Sequence, residues 1–227
     1  MPEYARAYYW PSDQGDNFDR AQALTTTPGM NGWTVKDTSS TGTPTYLSTS
    51  GVGMKLTLDN AVEAQVVTMY HGDVLQFALN ELKTLEFIAK VAGIATGDVL
   101  VMGVASAQND TADSVATHAW FRMEGTASTT LVVVETDDGT TDNDDKATGV
   151  TLGSTFKKFV IDFSNGLSDV RFYIDGARVA EGTTFSMAAL SSTTNVQPFF
   201  QLQKASSADI PSVTITWLRM TVSKVYN

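Results

Sequence analysis

Glu135 and Asp137 set two carboxyl groups two residues apart around Thr136. In an extended strand that spacing puts both side chains on one face, because successive residues point to opposite sides. Two carboxyl groups on one face are what hydrolysis of a glycosidic bond uses, one as acid and one as nucleophile, about 5–5.5 Å apart when configuration is retained. Here the strand runs directly into Asp138-Gly139-Thr140-Thr141, which reads as the mouth of a solvated hairpin. The stretch from Glu135 to Asp145 holds six acids. Oxygen-rich clusters bind Ca²⁺, so Asp142, Asp144 and Asp145 are weak metal candidates, but the sixth-position glycine and closing glutamate of a helix-loop-helix calcium loop are missing.

Other chemistries have less to build on. The only histidines are His71 and His118, and neither has a second ligand-type residue at strand or helix spacing. Each reads as a turn or sheet-surface histidine. There is no cysteine, which removes thiol catalysis, disulfides and thiolate metal sites. No GxSxG, P-loop or HExxH pattern occurs, and Gly51-Val52-Gly53 lacks the third glycine of a dinucleotide loop. No catalytic residue and no cofactor are expected.

A different kind of signal lies at the N-terminus. Tyr4, Tyr8, Tyr9 and Trp10 crowd into seven positions ahead of any periodic pattern, with Arg6 and Arg20 nearby. Such aromatics are costly to leave in water and should dock, either on the chain's own body or on a partner. Tyr and Trp are also favoured anchors of protein interfaces. Residues 1–32 therefore read as an arm that makes an assembly contact, and 33–227 as one domain.

The elements that must position these groups are strands. Thr (31 residues) and Ser (18) are abundant, and β-branched Thr suits a pleated, half-exposed surface. Apolar residues fall in short runs bounded by Gly, Asn, Asp or Pro. Val170, Phe172 and Ile174 alternate with polar neighbours, and Asp175-Gly176 supplies the two left-handed residues of a hairpin turn. Phe159, Ile161 and Phe163 share one face; so do Leu85, Phe87, Ala89 and Val91. Ala119–Gly125 and Thr129–Gly139 form a further pair. About nine to twelve strands result, with one helical alternative at Asp73–Lys83, where Leu75, Leu79 and Leu82 recur at helical spacing, and a single helical turn near Met187. Trp33, Trp120 and Trp217 lie within strand-like segments and are assigned to the core. An all-β, two-sheet antiparallel jelly-roll sandwich follows.

Composition narrows the partners. Asp and Glu outnumber Lys and Arg by 25 to 15, a net charge of −10, which argues against binding a phosphate backbone. No apolar run reaches the ~18 residues of a membrane span, and no signal peptide is apparent.

The segments TLEFIAKVAGIATGDVLVMGVAS, KKFVIDFSNGLSDVRFYIDGARVAEGTTF and VTITWLRMTV resemble the concanavalin A-like (laminin G-type) jelly roll, in the form found in bacteriophage virion proteins. The resemblance implies two sheets of six or seven strands. Its lectin branch implies Ca²⁺ and sugar ligands, and its glucanase branch a carboxylate triad; neither set is matched residue by residue, since no third carboxyl follows Glu135 and Asp137 at the triad spacing. The virion branch implies a non-enzymatic structural protein: a capsid decoration or head-protrusion subunit, homo-oligomeric (a trimer above all), binding the major capsid protein through its arm at the virion surface. The alternative is a tail or fibre module that recognises host glycans.

Overall fold

A computed structural model describes residues 5–9, 22–25, 32–190 and 194–223. In these, the strands are Ala5–Tyr9 (β1), Gln22–Ala23 (β2), Thr34–Asp37 (β3), Thr45–Thr49 (β4), Gly53–Thr57 (β5), Glu63–Tyr70 (β6), Phe77–Ala78 (β7), Leu82–Ala92 (β8) and Val99–Ala105 (β9). They continue with His118–Glu124 (β10), Leu131–Asp137 (β11), Asp142–Thr151 (β12), Lys157–Asp162 (β13), Arg171–Ile174 (β14), Ala177–Val179 (β15), Asn195–Ser207 (β16) and Ser212–Ser223 (β17).

The strands form two antiparallel sheets, larger than the resemblance implied. The nine-stranded sheet runs β15-β14-β13-β8-β17-β5-β4-β2, with β1 paired to β17; the eight-stranded sheet runs β12-β11-β10-β9-β16-β6-β3, with β7 on β16. The Asp175-Gly176 turn forms as its sequence dictates, with φ of 51° and 84°, and joins β14 to β15. Alternation places Leu85, Phe87, Ala89 and Val91 of β8 and Phe159 and Ile161 of β13 in the core. Phe87 stacks on Phe159 (5.0 Å) and meets Phe121 and Phe200 of the facing sheet edge-on at 6.0 and 5.3 Å. These aromatic contacts across the sheet interface add roughly 0.5–1.5 kcal/mol each beyond area burial.

Three local expectations change. Asp73–Lys83 is not a helix: Phe77 and Ala78 pair with β16, a short 3-10 turn covers Leu79–Glu81, and β8 begins at Leu82. Backbone pairing with Val196 and Asn195 outweighs a weak helical period. The segment at Met187 is a turn. Trp217 is half-buried rather than core; it lies on the outside of the nine-stranded sheet beside a bulge, with Arg219 5.4 Å and Lys158 5.9 Å from its ring.

One feature of the eight-stranded sheet prepares the site. Its outer face is roofed by the connection between β9 and β10, residues 106–117. Gln201 Nε2 donates to the Asn109 carbonyl (2.7 Å), Gln203 Nε2 to that of Asp110 (3.0 Å) and Gln197 Nε2 to that of Ser106 (2.9 Å). Ala112 and Val115 then close over Val101, Ala105, Trp120 and Phe199 as a second, smaller core. This is why β10 is buried on both faces, and why Trp120, although fully buried, sits under a loop rather than between the sheets. Gly103, the cross-strand partner of Trp120, allows the approach: a Cβ there would stand 2.6 Å from Trp120 Cα.

Candidate functional site

Where the roof ends, a cavity of about 370 Å³ opens, lined by Asp113, His118, Arg122, Glu124, Glu135, Asp137, Asp142, Asp144 and Asp145. Period-two alternation explains the assembly. On β10, Ala119, Phe121 and Met123 enter the main core, so His118, Arg122 and Glu124 point outward with Trp120. On β11, Val132 and Val134 enter the core, and Glu135 and Asp137 face the cavity. Cross-strand register then sets Trp120 beside Glu135 and His118 beside Asp137.

β12 adds the acids that a single strand cannot carry. Pairing runs Asp137 to Asp142 and Thr136 to Asn143, then shifts so that Val134 meets Lys146. Asp144 and Asp145 both stand opposite Glu135, a β-bulge in which Asp145 takes φ 49°. Asp tolerates the left-handed region better than most residues. The extra residue keeps both carboxyls on the cavity side, the kind of re-aiming that bulges perform near functional sites.

Glu135 is the floor, with its side chain 1% exposed. Trp120 Nε1 donates to its Oε2 at 2.6 Å, and Arg122 Nη1 lies 3.2 Å from Oε1. Burial raises its pKa to about 7; the Arg122 charge opposes the rise, and a hydrogen bond with Asp145 reinforces it. Two carboxyl groups in such contact share a proton. Burial and a hydrogen bond with Asp144 likewise raise Asp142 to about 6. Arg122 is committed elsewhere: Nη1 reaches Asp113 at 2.5 Å and Nη2 reaches Glu124 at 3.1 Å, and the acids around it hold it firmly protonated against its own desolvation.

His118 and His71 are not surface residues: they are 4% and 1% exposed. His118 stacks on Trp120 (3.6 Å between centroids, 8° between planes). Its Nδ1 lies 3.1 Å from the Val115 carbonyl, which fixes the proton on Nδ1. Burial lowers its pKa and keeps the ring neutral. Nε2 then bears a lone pair, has no hydrogen-bond partner, and stands 4.0 Å from Glu135 Oε2.

The structure thus brings together Glu135, Asp137, Asp142, Asp144 and Asp145, all marked in the sequence, and adds Asp113, His118, Arg122 and Glu124. Of the added residues, His118, Arg122 and Glu124 were legible as same-face positions of one strand; Asp113 comes from the roof and carried no signal. The acidic stretch forms the expected hairpin, with Gly139, Thr140, Asp142, Asp144 and Asp145 exposed, and its returning strand also supplies the pocket rim. Its turn is pinned by Asp138, whose Oδ1 accepts from the Thr140 and Thr141 amides at 2.9 and 2.6 Å, and Asp142–Thr151 is a ten-residue strand. Among the described residues no group of three or more His, Asp or Glu is arranged to hold a metal ion.

In the N-terminal segment, Arg6, Tyr8 and Tyr9 lie in β1, opposite Val222, Met220 and Arg219 of β17. β1 belongs to the other sheet, away from the cavity. Tyr4, Trp10 and Arg20 lie outside the described residues. Among the described residues no helix is long and apolar enough to cross a membrane.

This architecture is the concanavalin A-like jelly roll. No protein family matches the chain, and no curated protein sequence does. Solved structures similar to it include an endo-acting O-glycanase expressed by human gut microbiota to initiate mucin breakdown (10% identity, 92% of this chain and 98% of that chain, TM-score 0.60). The potassium-bound carbohydrate recognition domain of Emp46p is also similar (10% identity, 96% and 98%, TM-score 0.56). So is a family 16 glycoside hydrolase, an endo-glucanase from Bacteroides ovatus (12% identity, 83% and 94%, TM-score 0.56). At these identities the likeness establishes the fold.

The expectation of a non-enzymatic scaffold is overturned. Structures that share the fold include two glycan-cleaving enzymes, and the exclusion rested on finding no partner carboxyl along β11. The partners come from β12 instead, across the bulge, where Asp145 meets a Glu135 whose pKa lies at about 7.

Proposed function

We propose that this protein engages glycans through the acidic pocket on the outer face of the eight-stranded sheet. The observation that carries the reading is the pocket itself: about 370 Å³, built from three adjacent strands and a roof, with a buried floor and a polar lining. Glycans offer many hydroxyl donors, and carboxyl oxygens accept them. Support also comes from the similar solved structures, one of them a carbohydrate recognition domain and others glycan-cleaving enzymes. The notion of a capsid decoration subunit has less behind it. Its supports are the hairpin resemblance and the aromatic arm, and a tail or fibre module that recognises host glycans combines that virion setting with the pocket.

The test is a glycan array probed with the intact protein and with Asp144→Trp, a change at an exposed rim position that fills the pocket. Wild-type signals that vanish in the variant are expected. A blank array overturns the reading, and signals that survive the variant move the site elsewhere.

A hydrolytic reading has one observation in its favour. Glu135 holds its proton to about pH 7, the state a general acid needs. In that step its proton passes to the departing glycosidic oxygen as the bond to the anomeric carbon breaks, and water supplies the new oxygen. New reducing ends from array-positive glycans, lost in Glu135→Gln while binding persists, are the expected result; cleavage unaffected by Glu135→Gln removes the role.

A further inference from the structure

We propose that the pocket recognises its glycan through a protonated amino group, so that the ligand class is an amino sugar with a free amine; this rests on the reading of the pocket as a glycan site. Charge is the first argument. Seven carboxyl groups face one guanidinium, and with protons on Glu135 and Asp142, five acids still outnumber Arg122. A neutral sugar leaves that imbalance in place, whereas an ammonium reduces it.

Hydrogen-bond inventory is the second, independent argument. The Nη groups of Arg122 are taken by Asp113, Glu124 and Glu135, and Trp120 Nε1 by Glu135. His118 lines the cavity with its side chain 5% exposed, and its Nε2, 4.0 Å from Glu135 Oε2, has no hydrogen-bond partner. Glu135 Oε2 already accepts from Trp120 Nε1, whereas His118 Nε2 meets no donor at hydrogen-bond distance. An unmet buried acceptor is expensive, and the group that answers it carries donors alone. An ammonium has three donors and no lone pair; a hydroxyl brings one donor and lone pairs that the surrounding carboxyl oxygens oppose. Arg122 Nε is also without a partner, and a sugar brings acceptor oxygens that a plain polyamine lacks.

A divalent metal ion answers the charge but not the geometry. Among the described residues, no group of three or more His, Asp or Glu is arranged to hold one.

The experiment is calorimetric titration of the full chain at pH 7 with three β-1,4-linked trimers that share a scaffold and differ at C2: glucosamine (ammonium), N-acetylglucosamine (amide) and glucose (hydroxyl). Spermidine and Ca²⁺ serve as bare cations. The glucosamine trimer is expected to bind at least tenfold more tightly than the other two, and Asp144→Asn or Asp145→Asn to weaken it tenfold or more. Asn suits the left-handed backbone at position 145, so that variant keeps the bulge. Equal affinity for all three trimers overturns the amine assignment and leaves the glycan reading standing. No binding of any trimer overturns both. Spermidine or Ca²⁺ binding as tightly as the glucosamine trimer overturns the sugar class.

Discussion

Lys204 carries a full charge to the edge of the core. Alternation along β16 puts it on the same side as Phe200 and Leu202, which are fully buried, and its own exposure is 3%. Four backbone carbonyls receive the ammonium: Asp59 at 2.5 Å, Ala61 at 2.7 Å, Ser207 at 2.9 Å and Asp209 at 3.4 Å. One side chain thereby ties the β5–β6 connection to the end of β16 and the turn after it; the Ala61 carbonyl also accepts from the Glu63 amide at 2.9 Å. Lys204→Met keeps the length and removes the charge. Hydrogen bonds to charged groups contribute about 1.5–3 kcal/mol, and stranded buried acceptors cost a similar amount. The expected destabilisation is about 3 kcal/mol, a fall in Tm on the order of 10 °C for a chain of this size. Lys90→Met, at a half-buried lysine over the exposed Phe156 ring, should change Tm by less than about 2 °C. Similar melting curves for the two variants would refute the cage.

At the level of elements, the sequence was legible where side-chain period and turn chemistry agreed. Asp175-Gly176, the alternation of Val170 to Ile174 and the core face of β8 all follow from rules local to a few residues, and the structure has each of them. β12 was not legible, because Asp142-Asn143-Asp144-Asp145 are poor strand formers. Asp142 and Asn143 are held by pairing with β11 at the edge of the sheet, and Asp145 bulges out of it at φ 49°; charge there also blunts association with another chain. The roof over β9 and β10 was invisible for another reason: its Ala112 and Val115 are too few to form a pattern, and its anchors, Gln197, Gln201 and Gln203, lie some ninety residues away. The candidate site shared both fates. Glu135 and Asp137 were found by spacing along one strand; their partners needed the register between strands, including a bulge that no local rule anticipates.

At the scale of the whole molecule, the pocket should leave its mark on stability against pH. Glu63, which accepts from the Ser40 hydroxyl, Gln65 and the Gly42 amide, and Asp59, bound by the Thr43 and Ala61 amides, are held below the ordinary carboxyl range. Their stabilisation is present above the unfolded pKa and is lost as pH falls through the lowered folded values. His71 is buried neutral with its pKa lowered to about 3, so its contribution is present above about pH 6.5 and is lost as pH falls below that. Glu135 has the opposite sign. Its folded pKa, about 7, exceeds the unfolded value, so its contribution is complete below about pH 4.3 and declines as pH rises toward 7. Arg122, His118 and the acids of the pocket surround it; the Arg122 charge opposes the rise but does not reverse the direction that burial sets. Between about pH 4.5 and 6.5 the His71 and Glu135 slopes oppose each other, and the wild-type curve should be flattened there. Glu135→Gln keeps an acceptor for Trp120 Nε1 and removes the proton, leaving the His71 slope uncompensated. Urea unfolding at pH 4.5, 5.5, 6.5 and 7.5 should therefore show the variant gaining on the wild type as pH rises, by on the order of 3 kcal/mol at pH 7. Parallel curves would mean that Glu135 is ionised across the range, and the proton assigned to the pocket floor would have to be given up.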